Sequence, residues 1–429
     1  MSKMSKYFWL ILIFIAVSVP TLASAAPKEN FEKIVLKNGI TLMYKVMKNE
    51  PRVSMYAVFP IGTNIEKSKG IAHLLEHLVF RGGSGYTFED IINVTSRQGG
   101  FFNGFTSFYT TSYNYVVPKE NLTEAFKVFN GCIWGTQLEP SIIEMEKEII
   151  THELDMNYAT RYAYYPVIKY FYPEMYHSKE TMATISVNDL KDFHQSYYQP
   201  RNATYIMAGD FDPKQIISQL ETEKNQIGYQ ETPKIPVKEL QLPKGEQVES
   251  RNLYPYSYQI MMGYEFSDLS EKERMVLKLI SYIFGGDYKI DYLENSYKIY
   301  NTLTRSVGKK DYFGIYYLER SKPFTPENYQ KEKENILKIL HQYQKADFKK
   351  ELKNFIREVE LENVVSQTSV EGAVEYEVQR LTDPDNITID SLNILKSLKE
   401  KDFVAVINKC FSQPPATWVL VKSTKTGGN

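Results

Sequence analysis

His73, Glu76 and His77 are the residues whose types and spacing could do chemistry together. They lie in the apolar, proline-free run Gly70–Phe80, which reads as a helix. Positions three and four apart share a helical face, so two imidazoles and a carboxylate converge on one spot. Two ring nitrogens can hold a divalent metal, and the carboxylate beside them can take a proton from water. Such a site needs a third protein ligand. Candidates sit on a second predicted helix, from Ser141 to about Tyr158: Glu144, Glu146, Glu148, His152 and Glu153. Glu146 and Glu153 lie two turns apart on one face, with Ile149 and Ile150 between them, so that face points inward. Carboxylates facing a core need a metal or a hydrogen-bond partner. Spacing alone does not choose among the five.

The elements around these two helices follow from periodicity and turn chemistry. Leu36–Ile40 reads as a hairpin with Asn38-Gly39 as its turn, and strand signals continue through Arg52–Pro60. Thr87 caps a helix to about Arg97, stopped by Gly99-Gly100. Phe101–Val117 reads as strands, Glu120–Trp134 as a helix, Ser186–Asp189 as a capped helix start and Ala203–Gly209 as an apolar strand. This alternation predicts an α+β fold, with helices packed on a mostly antiparallel sheet. The proline-bearing stretch 227–245 reads as a linker between a metal-binding half, 26–226, and a second half, 246–429. The second half repeats the first. Ala416-Thr417-Trp418-Val419 mirrors Ala203-Thr204-Tyr205-Ile206, and the helix Glu271–Phe284 mirrors the His73 helix. Matching Phe80 to Phe284 puts Leu277, Ile280 and Ser281 where His73, Glu76 and His77 stand, so the second copy is metal-free.

Composition narrows the class. A hydrophobic content of 43% with 24% charged residues is globular, and the length calls for more than one core. The formal net charge of −1, with no basic stripe, argues against nucleic acid. Lys3 and Lys6, the apolar run Tyr7–Val19 and Ala23-Ser24-Ala25 read as a signal peptide over residues 1–25. The chain is therefore expected to be exported, periplasmic or extracellular, with no stable membrane span after cleavage. Cys132 and Cys410 fall in opposite halves and read as two buried free thiols, with one disulfide as the alternative. His152, His177, His194 and His341 have no partners at ligand spacing and read as structural.

The run Gly70–Gly82 resembles the core signature of the pitrilysin/insulinase metallopeptidases, above all their shorter-chain, processing-peptidase-like branch. His-x-x-Glu-His is the inverse of the common zinc-protease helix motif. The resemblance runs from Phe31 through the first half to Gln199–Asp210 and is weaker in the second half. It implies Zn2+ held by His73, His77 and Glu153, with Glu146 a supporting acid that orients the site from behind. It implies that Glu76 is the general base. It also implies that Asn103, in Gly100–Thr106, helps position a peptide that adds as an extra strand. One departure stands out. The family's second half carries an Arg followed by a Tyr that stabilise the oxyanion; here Tyr300 fits, but the Arg position holds Glu294. This predicts a homologous partner chain, a non-identical one (heterodimer) in preference to a homodimer; the alternative is that Arg305 fills the role. The expected function is a secreted zinc metalloendopeptidase acting on peptides or unfolded polypeptides. The competing reading is a non-catalytic peptide-binding or assembly subunit, favoured by Glu294 and opposed by the intact metal set.

Overall fold

The computed structural model describes residues 31–161, 171, 177–223, 240–242, 245–251, 257–284, 299–307, 309–319, 322–342, 347–382, 387 and 389–422. The expected signal peptide and most of the expected linker lie outside the described residues.

The first half runs β1 (Glu32–Val35), β2 (Thr41–Val46), β3 (Arg52–Phe59), α1 (Ile71–Val79), a two-residue ladder of β4 (Gly82–Gly83) with β5 (Tyr86–Thr87), and α2 (Phe88–Val94). It continues with β6 (Phe101–Thr106), β7 (Thr111–Pro118), α3 (Leu122–Trp134), α4 (Pro140–Arg161), α5 (Lys179–Ala183), α6 (Val187–Tyr197), β8 (Thr204–Gly209) and α7 (Pro213–Leu220). The second half runs β9 (Glu246–Arg251), β10 (Tyr258–Ser267), α8 (Glu271–Phe284), β11 (Ile299–Val307), β12 (Lys310–Glu319), α9 (Pro326–Gln342) and α10 (Phe348–Ser366). It closes with α11 (Val370–Thr382), α12 (Leu392–Ser397), α13 (Glu400–Cys410) and β13 (Ala416–Lys422). The local signals acted where expected. Thr87 and Ser186 each close a capping box, and the Asn38-Gly39 turn joins antiparallel β1 and β2.

The repeat is explicit in the topology. The first sheet has the order β1-β2-β8-β3-β7-β6 and the second β9-β13-β10-β12-β11. From β2 to β6 the two match strand for strand. The pairs β2–β8 and β9–β13 are parallel, and all other neighbours are antiparallel. The fold is thus α+β in two like halves.

Each half also reaches into the other. Along β3, Val53, Met55, Ala57 and Phe59 face their own half's helices and join the first core. The opposite face of that sheet, with Met43, Val58, Ile206 and Ala208, is covered by Val370, Ala373, Val374 and Val378 of α11. Burying each of those valines contributes about 1.5–3 kcal/mol. In return, Phe171 of the first half packs edge-on against Tyr312 and Trp418 of the second sheet. Strands β7 and β12, interior to their sheets, are buried almost throughout. By contrast β6, at the sheet edge, alternates between exposed and half-buried residues.

Candidate metal centre

Helix α1 starts where the sequence requires it to. Gly70 caps it at φ 93, a left-handed conformation in which a side chain is strained. The carboxylate of Glu66 accepts hydrogen bonds from the Gly70 and Ala72 amides at 3.1 and 3.0 Å, satisfying first-turn donors. Leu74, Leu75 and Leu78 anchor the helix in the first core, which leaves His73 and His77 on the face toward α4. There Glu153 Oε2 lies 3.9 Å from His73 Nε2 and 3.6 Å from His77 Nε2. Donors around a tetrahedral zinc are about 3.3 Å apart, given bonds of roughly 2.0–2.2 Å. Two imidazoles and a carboxylate at this spacing therefore suit zinc after a small closure, and they form the one such group of ligands among the described residues.

The outer nitrogens are held as well. His77 Nδ1 meets Glu146 Oε2 at 2.9 Å, and the Arg81 guanidinium clasps the other oxygen of Glu146. Glu146 is fully buried. Burial pushes its carboxyl up, but the bonds to His77 and Arg81 outweigh this and hold it below the usual range. Burial likewise pulls His77 down, yet the Glu146 bond and the surrounding carboxylates win and its pKa is raised. His73 is pushed down to about 3 by burial, with His177 and His77 adding to the effect, so it stands as a neutral imidazole. A neutral imidazole has a lone pair to offer a metal.

Glu76 is wedged between α1 and the edge strand β6. Thr106 Oγ1 donates to its Oε2 at 2.8 Å, and burial raises its pKa against that bond. Strand β6 comes so close that a methyl group on Gly104 would lie 2.6 Å from Glu76 Oε1. Only glycine admits this approach.

On its other face β6 lines a cavity of about 850 Å³ between the halves. Asn103 and Phe105 contribute from the first half, and Thr304 and Arg305 from the second. The buried Arg305 guanidinium lies over the Phe108 ring at 5.1 Å from its centre.

Two family descriptions match successive parts of the chain. "Insulinase (Peptidase family M16)" matches residues 45–179, and "Peptidase M16 inactive domain" matches residues 184–359. The chain belongs to peptidase family M16. The zinc protease PqqE of Helicobacter pylori is 23% identical over 91% of this chain and 92% of its own length. The probable zinc protease PqqL of Haemophilus influenzae is 28% identical, over 53% of this chain and 27% of its own length. Among solved structures, a protease from Helicobacter pylori superposes with a TM-score of 0.74 at 19% identity, covering 92% of this chain and 99% of that one. The first half of the periplasmic protease PqqL from Escherichia coli gives 0.68 at 15% identity, covering 92% of both chains. Against the PqqL structure that is not confined to the first half, this chain covers 48%.

Within this M16 chain, His73, Glu76, His77, Glu146 and Glu153 come together, and Asn103 lies on the strand next to Glu76. Glu144 is exposed and bonds Lys147, and His152 is exposed. Tyr300 sits on β11 opposite Tyr317, while its side chain and the whole of Glu294 lie outside the described residues. Both thiols are buried and free. His194 is structural, its Nε2 bonding the Ile133 carbonyl at 2.9 Å. His177, read from the sequence as structural, touches a candidate ligand. The structure places its Nε2 3.1 Å from His73 Nδ1, a contact between residues 104 positions apart that no local pattern signals.

Proposed function

We propose that this chain is an exported zinc metalloendopeptidase that cuts peptides or unfolded polypeptides. One observation carries the reading: the donor atoms of His73, His77 and Glu153 converge within 4.8 Å of one another, beside the Glu76 carboxylate and an open sheet edge. Zinc bound there would act as a Lewis acid and make water a nucleophile at neutral pH. Glu76, held by Thr106 and raised in pKa, takes the proton from the attacking water and passes it to the leaving amine. Glu146 and Arg81 fix the His77 ring so that its inner nitrogen keeps its aim.

The edge of β6, which pairs with no further strand among the described residues, offers backbone donors and acceptors to an extended peptide. Alternate side chains of such a strand would point into the cavity with Asn103, Phe105 and Arg305. An extended, unpaired segment fits such an edge, which favours unfolded segments as substrates.

A homologous partner chain, non-identical by preference, completes the active site in this reading. Support comes from Glu294, which stands where the family's oxyanion-stabilising Arg is expected, so that a second chain would supply the cation. The N-terminal charge and apolar pattern support export, and no helix among the described residues is long and apolar enough to cross a membrane. The test is a quenched-peptide assay of the zinc-loaded chain, alone and with a homologous gene product, alongside the native mass of the complex. Stoichiometric zinc without cleavage under either condition would leave the non-catalytic assembly reading standing.

A further inference from the structure

We propose that His177 is a positioning residue for the metal centre, fixing the tautomer and aim of His73; this rests on the zinc reading above. The nitrogen of His73 that faces Glu153 is Nε2, so a neutral His73 ring bound through Nε2 carries its hydrogen on Nδ1. That N–H needs an acceptor, and His177 Nε2 lies 3.1 Å away. His177 therefore accepts at Nε2 and keeps its own hydrogen on Nδ1. The rings meet edge to face with centres 5.2 Å apart, which limits the rotation of His73.

The fold places His177 with care. Ser178, next in the chain, caps α5 through a reciprocal bond pair with Thr181, and Met182 of α5 is buried in the first core. The ring lies over Gly70, where a methyl group would collide with Met182 and sit 3.2 Å from His177 Cδ2. The glycine that starts the motif helix thus also makes the notch that brings His177 to the metal ligand. The two histidines have different partners, His77 a carboxylate and His73 a second imidazole. A carboxylate makes its histidine a stronger donor to the metal, while a neutral acceptor orients the ring without adding charge.

Two substitutions of similar polarity separate this role from mere packing. His177→Gln can place its amide oxygen where Nε2 now sits, whereas His177→Asn reaches only to the level of Nδ1. Zinc affinity is measured by competition with a chromophoric chelator, geometry by the visible spectrum of the Co2+-loaded chain, and packing by thermal unfolding of the metal-free chain. His177→Asn is expected to weaken zinc binding by about 10- to 100-fold and to alter the Co2+ bands. His177→Gln should keep both near wild type, with the two metal-free variants unfolding alike. Equal zinc affinity in wild type and both variants overturns the role of His177 and leaves the zinc reading intact. A wild-type chain that takes up no zinc overturns that reading, and this one with it.

Discussion

Helices α1 and α8 occupy the same place in two sheets of the same topology, yet one carries the proposed metal ligands and the other is core. Both are tied to their edge strand by a side-chain bond: Glu76 to Thr106 on β6, and Ser281 to Thr302 on β11 at 2.6 Å. At the positions matched to His73 and Glu76, the second half has Leu277 and Ile280, both buried. The two ties are not made at matched positions, since Ser281 stands where His77 does and Ile280 where Glu76 does; what the halves share is the helix set against its sheet, and the metal chemistry is laid over that scaffold. The overlay needs support that the second half does without. Glu146 and Arg81 stand behind His77, His177 stands behind His73, and Gly104 makes room for Glu76.

If that contrast is right, substitutions in the two helices should fail in different ways. Glu153→Ala, which removes one of three metal donors, should have the largest effect. Zinc content of the purified chain should collapse, by more than the roughly 10- to 100-fold typical of an outer partner, and hydrolysis with it. Glu76→Gln should slow cleavage of a quenched peptide by about 10²–10⁴-fold with zinc still bound; an unchanged rate removes Glu76 from its role. In the other half, Leu277→Ala should cost about 2–5 kcal/mol in denaturant unfolding and leave zinc content untouched. Metal loss without a stability loss there would break the comparison. Glu146→Gln should lower zinc affinity by about 10- to 100-fold in chelator competition, since a neutral amide holds His77 less strongly. Ser281→Ala, the smallest, should cost about 1 kcal/mol and nothing else, because it loses only a tie to the edge strand.

Local chemistry was the legible part of the molecule. Gly70 and Phe80 bracket α1, Thr87 and Ser186 cap their helices, and the likeness of Ala416–Val419 to Ala203–Ile206 corresponds to equivalent strands, β13 and β8. Each of these is decided within a few residues by sterics, capping or side-chain alternation. The ligand set was half legible: the α1 residues follow from helical spacing, but Glu153 was chosen over its neighbours only by family resemblance. What stayed hidden depends on distant contacts. His177 belongs to another element, and its spacing from His73 carries no period. The covering of β3 and β8 by α11 was equally hidden, because an amphipathic helix does not name the surface it will meet.

The reciprocal cover bears on how such a chain can be handled. Severing it between the halves would not release two self-sufficient pieces. The first would expose the apolar strip of Met43, Val58, Ile206 and Ala208, and the second would bare the bed of Phe171. Nicked protein should therefore stay associated, and fragments made apart should precipitate unless mixed.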